Sequence, residues 1–323
     1  MLNKKYCKLL YEVSKNSRIT TKELGKILRT SQQSASYLIQ SMIKNKQILN
    51  FYTLVDSAMF GLTNIIVLFN YTNFDKRNIE KIKKNLLNNE IVTMVEESNL
   101  GADLIVQYTV QNLSNFNKEK QDFLHEFKND IKQIAIYPII VKHIYTRKYL
   151  YPKNQTKEWV LSGDRNIINF SDKEKKIIKE LKKNSKISII EIAKKTSLDP
   201  KTIIQIKKNL EIKNVIKQYS ININHKELGI ERERYLIKLE TDEKSEINRF
   251  LSFCNLHKNI LTTIKIIGNY EFIITVERFK EENEILPEIR KNFKVQDYQL
   301  FNIFEVIKSQ TIPDHVLEMN QSN

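Results

Sequence analysis

Apolar residues recur at three- and four-residue spacing over three short stretches near the N-terminus, and again over three stretches beginning at Ser171. In the later set, Ser171-Asp-Lys-Glu174 is a capping box opening a helix whose inner positions are Ile177, Ile178 and Leu181. Ser188-Ile-Ile-Glu191 is a second box, with Ile192 turned inward. Asp199-Pro200 opens the third helix: Asp caps well, Pro suits the first helical position, and Ile203, Ile206 and Leu210 form the inner stripe. The earlier set repeats this, with Thr20-Thr-Lys-Glu23 capping its second helix and Ser31 its third, and with Ala35, Leu38, Ile39 and Met42 inward. Three short helices with a tight turn between the last two make a helix-turn-helix unit. Residues 49–55 and 217–223 each read as a strand, or small wing, leading out.

After Gly61 and Gly229 the pattern changes to alternating strands and helices. Strands are expected near 64–72, 91–98, 103–111 and 134–146, with helices near 76–88 and 115–131. In the second half the strands fall near 233–241, 260–267, 270–277 and 297–308, with helices near 244–256 and 280–292. The order β-α-β-β-α-β is the ferredoxin-like arrangement, which predicts two antiparallel sheets, each with helices on one face. The fold class is therefore α+β: two copies of a (winged) helix-turn-helix domain, each followed by a ferredoxin-like βαββαβ domain. The boundaries read as 1–56 and 60–150, a linker over 151–169, then 170–225 and 229–312, with a tail over 313–323. The linker holds a Pro, a Ser-Gly-Asp turn signal and no clean periodicity. Its Trp159, the only Trp of the chain, is expected to dock on a neighbouring surface.

The two halves also match residue by residue. Shifting the chain by 168 positions lays 1–62 on 169–230 without gaps and with eleven identities, among them Lys15, Asn16, Ser17, Ile19, Glu23, Ile48 and Gly61. The chain thus reads as a tandem duplication.

Charge sharpens the picture. The 323 residues carry a net charge of +15. Residues 1–52 hold ten Lys/Arg against two Asp/Glu, and 170–222 hold fourteen against six, so each segment is +8 and the remainder is close to neutral. Two compact basic units at corresponding places in a repeat point to nucleic acid. No apolar stretch approaches the roughly 20 residues that span a bilayer, and the N-terminal residues are charged, which predicts a cytoplasmic protein without membrane contact. Cys7 and Cys254 lie far apart, and the five histidines (His125, His143, His225, His257, His315) show no metal-ligand spacing. Glu96 and Glu97 are consecutive on a strand and so point to opposite faces. With neither a phosphate loop nor a nucleophile motif, no enzymatic chemistry, cofactor or metal is expected.

The stretch FSDKEKKIIKELKKNSKISIIEIAKKTSLDPKTIIQIKKNLEIKNVIKQYSININHKELGI resembles the DNA-binding half of the Lrp/AsnC (feast/famine) transcription regulators, and IIGNYEFIITV resembles that family's effector-domain strand-turn-strand. Two departures stand out: the chain holds two copies, and Lys207 occupies a recognition-helix position that the family usually fills with an aliphatic residue. The resemblance implies a regulator of transcription whose third helices enter the major groove of double-stranded DNA. The base-facing candidates are Gln32, Gln33, Ser34, Ser36, Tyr37 and Gln40 in the first copy and Pro200, Lys201, Thr202, Gln205 and Lys208 in the second. Lys22, Arg29, Lys44, Lys194 and Lys195 are candidates for phosphate contacts. The two faces differ, which fits either an asymmetric operator or one copy contributing only electrostatic affinity.

The resemblance also implies a small-molecule effector, often an amino acid, near the turn Gly268-Asn269-Tyr270-Glu271. Its counterpart in the first copy includes Gly101 and Asp103, with the Gly displaced by one position. The alternative for this turn is a simple tight hairpin. In the family the effector domains associate between subunits, so the fused pair is expected to pair within the chain, with further homo-oligomerisation left open. Siroheme decarboxylases, which work in heme synthesis, look similar in domain order and give the alternative function. They would need a tetrapyrrole pocket with His and Arg donors, for which the sequence offers His143 and Arg147 but no evident cluster.

Overall fold

The computed structural model describes residues 3–152 and 157–318, so residues 153–156 of the expected linker and 319–323 of the expected tail lie outside the described residues. The chain opens with α1 (Lys4–Lys15), α2 (Thr21–Leu28), α3 (Gln32–Lys44) and β1 (Ile48–Val55). Next come β2 (Thr63–Tyr71), α4 (Lys76–Asn88), β3 (Val92–Ser98), β4 (Leu104–Val110), α5 (Leu113–Glu126) and β5 (Ile131–Tyr145). Strand β6 (Glu158–Ser162) leads to α6 (Asp172–Lys183), α7 (Ile189–Thr196), α8 (Pro200–Ile212) and β7 (Ile216–Ile223). The last elements are β8 (Ile230–Leu239), α9 (Lys244–Leu256), β9 (Ile260–Ile266), β10 (Phe272–Phe279), α10 (Leu286–Asn292) and β11 (Val295–Ser309).

Caps locate the helices. Thr20, Ser171 and Ser188 each make the full box with Glu23, Glu174 and Glu191, and Asp199 accepts from the amides of Lys201 and Thr202. Helix α10 is shorter than its pattern, because Pro287 starts it while Glu282 is occupied in the preceding turn by Asn259 and Lys258.

The two sheet units are one sheet. Their internal orders are β5-β2-β4-β3 and β11-β8-β10-β9, and their edges meet as β3–β11 and β5–β9. Eight of the nine strands thereby close on themselves, leaving β6 attached beside β5. Closure satisfies edge amides and carbonyls that two separate sheets would have left open. Side chains from both halves fill the interior, including Ile66, Leu68, Ile105, Ile139, Leu236, Ile264, Ile273 and Phe301. Helices α4 and α5 cover the outer face of one half around Phe69 and Phe123, and α9 and α10 the other around Phe250 and Phe272.

The two exit segments are strands, as their pattern predicts, and what the pattern did not give is their partner. β1 and β7 pair with each other, antiparallel, and Tyr52 lies opposite Ser220, its own counterpart at the 168-residue shift. Ser17 and Ser185, likewise 168 apart, meet hydroxyl to hydroxyl at 2.6 Å. The Ser17 amide donates to Tyr219 O while the Ser185 amide donates to Phe51 O. The two helical units therefore interlock about a local twofold axis. The stretch between the halves also carries more structure than a linker. β6 pairs with β5, and Trp159 is buried against Leu54 and Leu161.

Candidate nucleic-acid interface

Each third helix buries one stripe and leaves the opposite face in solvent. On α3, Ala35, Ile39 and Met42 are buried, while Gln32, Gln33, Ser34 and Gln40 are exposed and Ser36 is half-buried. Tyr37 is 72% exposed, unusual for an aromatic side chain with no core to fill, and with Lys5, Gln33 and Ser34 it lines an open groove against α1. On α8, Ile203 and Leu210 are buried, Pro200, Lys201, Gln205 and Lys208 are exposed, and Thr202 is half-buried. Of the phosphate candidates, Lys22, Arg29, Lys44 and Lys194 are exposed, whereas Lys195 is held by Glu180 at 3.1 Å. Lys207 keeps the aliphatic position by lying over the Tyr219 ring and bonding Glu211 at 2.6 Å. Arg18 ties the units together, donating to Ser185 O and Ile187 O. The structure thus brings each base-facing set onto one exposed face, and interlocked units hold those two faces.

The turn residues sit where the halves join. Gly268 has φ +152°, and a Cβ there would come within 2.7 Å of the Tyr137 ring on β5. Gly101 has φ +83°, and a Cβ would meet Phe301 on β11 at 2.7 Å. The acidic residues correspond as well: Glu271 accepts from the Leu239 amide and Asp103 from the Tyr71 amide, each at the end of its half's first sheet strand. Tyr270 donates to Asp297 at 2.9 Å, and Asn269 is exposed.

A cluster not evident from the sequence lies between the helical units and the closed sheet. A cavity of about 260 Å³ there is lined by residues of α1, β1 and β7 on one side and by Lys142, Arg147, Arg232 and Arg234 on the other. Glu96 receives Arg234 at 2.5 and 3.0 Å and Arg232 at 3.1 Å. Burial would raise the Glu96 carboxyl, but the two guanidiniums outweigh it and hold the group at about 2. Glu277 receives Arg147, His225, Arg232 and the Tyr149 hydroxyl, and despite complete burial it is held well below the usual carboxylate range. Glu97 faces the other way, to Lys83 and Tyr71, as strand alternation requires. His143 likewise faces away from its neighbour Lys142 and pairs with Glu158. The available signal was Arg232-Glu-Arg234-Tyr-Leu236: two arginines on the same strand face as an interior leucine demand buried partners. Among the described residues no group of His, Cys, Asp or Glu could hold a metal ion, and no helix is long and apolar enough to cross a membrane.

Comparison with known proteins agrees with this architecture. The winged helix-turn-helix DNA-binding family matches residues 170–217. LrpC, a helix-turn-helix transcriptional regulator of Bacillus subtilis, is 33% identical over 92 residues, covering 28% of this chain and 62% of LrpC. A helix-turn-helix transcriptional regulator of Pyrococcus furiosus is 31% identical over 121 residues, covering 36% of this chain and 77% of that protein. In fold, the siroheme decarboxylase NirDL superposes over 96% of this chain and 94% of its own, with a TM-score of 0.60 and 12% identity. The chain belongs to the Lrp/AsnC family of helix-turn-helix transcriptional regulators.

Proposed function

We propose that this chain is a cytoplasmic, sequence-specific regulator of transcription that binds double-stranded DNA through α3 and α8, carried in one polypeptide by tandem duplication. The supporting observation is the pair of exposed polar helix faces, each on a +8 unit, locked about a local twofold by Ser17–Ser185 and β1–β7. Gln32, Gln33, Ser34, Ser36, Tyr37 and Gln40 read one half-site, and Pro200, Lys201, Thr202, Gln205 and Lys208 the other, unlike one. Lys22, Arg29, Lys44 and Lys194 contact phosphates, with Lys195 joining them only when it leaves Glu180. The domain boundaries follow the two basic units and the two sheet units. A small-molecule effector such as an amino acid meets the chain at the Gly268–Glu271 and Gly101–Asp103 turns, where exposed Asn269 lies beside the join of the halves.

The test is a fluorescence-anisotropy titration against the protein's own promoter and a scrambled duplex at two salt concentrations. Tighter promoter binding is expected. The double change Lys201→Ala/Gln205→Ala should weaken it at least about tenfold, since each base contact is worth ~1–3 kcal/mol. Absence of binding at low salt would refute the reading.

A second reading, a tetrapyrrole enzyme, is favoured by the whole-chain likeness in fold to the siroheme decarboxylase and by the Arg147–His225–Arg232–Arg234 cluster. The charge distribution favours the regulator, because a tetrapyrrole enzyme has no need for +8 on each helical unit. A Soret band in the purified protein would reverse that preference.

A further inference from the structure

The cavity between the helical units and the closed sheet carries a charge imbalance that its own residues do not cancel. Four cations (Lys142, Arg147, Arg232 and Arg234) stand against two carboxylates, Glu96 and Glu277, while Lys15 at the rim already pairs with Glu12. Both carboxylates are saturated: Glu96 by two guanidiniums, Glu277 by Arg147, Arg232, His225 and Tyr149. Three donors around the same space are left over. Arg232 Nε and Thr146 Oγ1 are buried without a hydrogen-bond partner, and the half-buried Lys142, which lines the same space, makes no hydrogen bond or ion pair to another described residue. Buried cations and donors without acceptors are costly unless something supplies the missing charge.

We propose that this cavity is a binding site for a small dianion, whose acceptor oxygens meet Lys142, Arg232 and Thr146 and whose two charges cancel the excess. Dicarboxylates and inorganic phosphate share that chemistry, and about 260 Å³ suits either. The site is distinct from the turns at the join of the halves. It does not depend on the DNA-binding reading, because neither the donors nor the test involve DNA. It bridges Ser14 and Lys15 of α1, Gln218 and Ser220 of β7 and the sheet, so its occupant touches both layers.

Burial first, then Arg234 and Arg232, push the Lys142 ammonium down to about 8, with Glu96 acting in the opposite sense. The groups facing it are Glu96 from β3, Arg232 and Arg234 from β8, Arg147 at the end of β5, His225 ahead of β8 and Lys15 from α1. Arginines and the saturated carboxylates keep their charge across the neutral and mildly alkaline range, so Lys142 is the group whose charge changes there.

Calorimetric and thermal-shift titrations of the full chain with sodium succinate and with sodium phosphate, at constant ionic strength, test the proposal. Saturable binding of at least one probe is expected, weaker by about tenfold or more in Lys142→Met and largely retained in Lys142→Arg, as loss of a charge-assisted contact requires. Binding should also weaken by about tenfold or more between about pH 7 and about pH 10, as Lys142 loses its proton. Without ligand, Lys142→Met should melt no lower than the wild type, since it removes a partly desolvated charge that makes no ion pair. That result separates lost binding from lost folding. Succinate alone would assign a carboxylate ligand, and phosphate alone a phosphate. Failure of both probes to bind, or equal binding by wild type and Lys142→Met, would overturn the site.

Discussion

Replacing Glu277 with Gln should be among the most damaging single changes available in this chain. Glu277 is 0% exposed, and its carboxylate accepts from Arg147 Nε at 3.0 Å, the Tyr149 hydroxyl at 2.8 Å, His225 Nε2 at 2.7 Å and a terminal nitrogen of Arg232 at 3.2 Å. Glutamine keeps the size but removes the charge and turns an amide NH2 toward donors. Breaking a buried ion pair from one side costs about 3–5 kcal/mol, because the partner cation stays buried. Against a typical folding stability of about 5–15 kcal/mol, that is roughly a fifth or more of the total. Urea unfolding followed by far-ultraviolet circular dichroism should show a matching fall in the midpoint. Arg147→Met added to Glu277→Gln should recover part of the loss, since it removes the cation that the first change stranded. A loss under about 1 kcal/mol would refute the reasoning, because it would mean that the junction is solvated and its effective dielectric high. The carboxyl is held well below its usual range, so its contribution is complete above about pH 4.3, the unfolded value, and is lost only as pH falls toward the folded one.

Three other outcomes follow from the same geometry. Burial lowers the His225 imidazole despite the opposing Glu277, so the unfolded chain binds that proton more readily. Stability should therefore fall as pH drops below about 6.5, and His225→Gln should flatten that slope in urea titrations at a series of pH values. Gly268→Ala forces a Cβ to within 2.7 Å of the Tyr137 ring at φ +152°, and should cost about 1–3 kcal/mol in thermal unfolding; an unchanged melting temperature would contradict the close approach. Neutralising Lys22 and Lys44 together should weaken DNA binding about equally for promoter and scrambled duplex and lower the salt slope by about two, as phosphate contacts do.

Local chemistry was written plainly along the chain. Capping boxes at Thr20, Ser171 and Ser188, the Asp199-Pro200 start and the change of period after Gly61 and Gly229 act over four or five residues, so they can be read without knowing the fold. The same holds for the outward faces of α3 and α8, which follow from helical spacing once the inner stripe is known. Charge counting located the basic units, because Lys and Arg are mostly exposed and are buried only where a partner meets them.

Contacts between distant segments were not legible in this way. β1 and β7 could be read as strands, or small wings, but not as each other's partner, because an edge strand's amides carry no mark of which partner will satisfy them. β6 escaped notice because five residues alternate too briefly to show a period. The cavity cluster unites Glu96, Lys142, Arg147, His225, Arg232, Arg234 and Glu277 from segments up to 181 residues apart. Apart from the two arginines that share a strand face with Leu236, each side chain looks ordinary in its own neighbourhood. Their shared burial, their perturbed protonation and the donors left without acceptors exist only once sheet closure has brought them together, because Coulomb energy and desolvation depend on distance through space rather than along the chain.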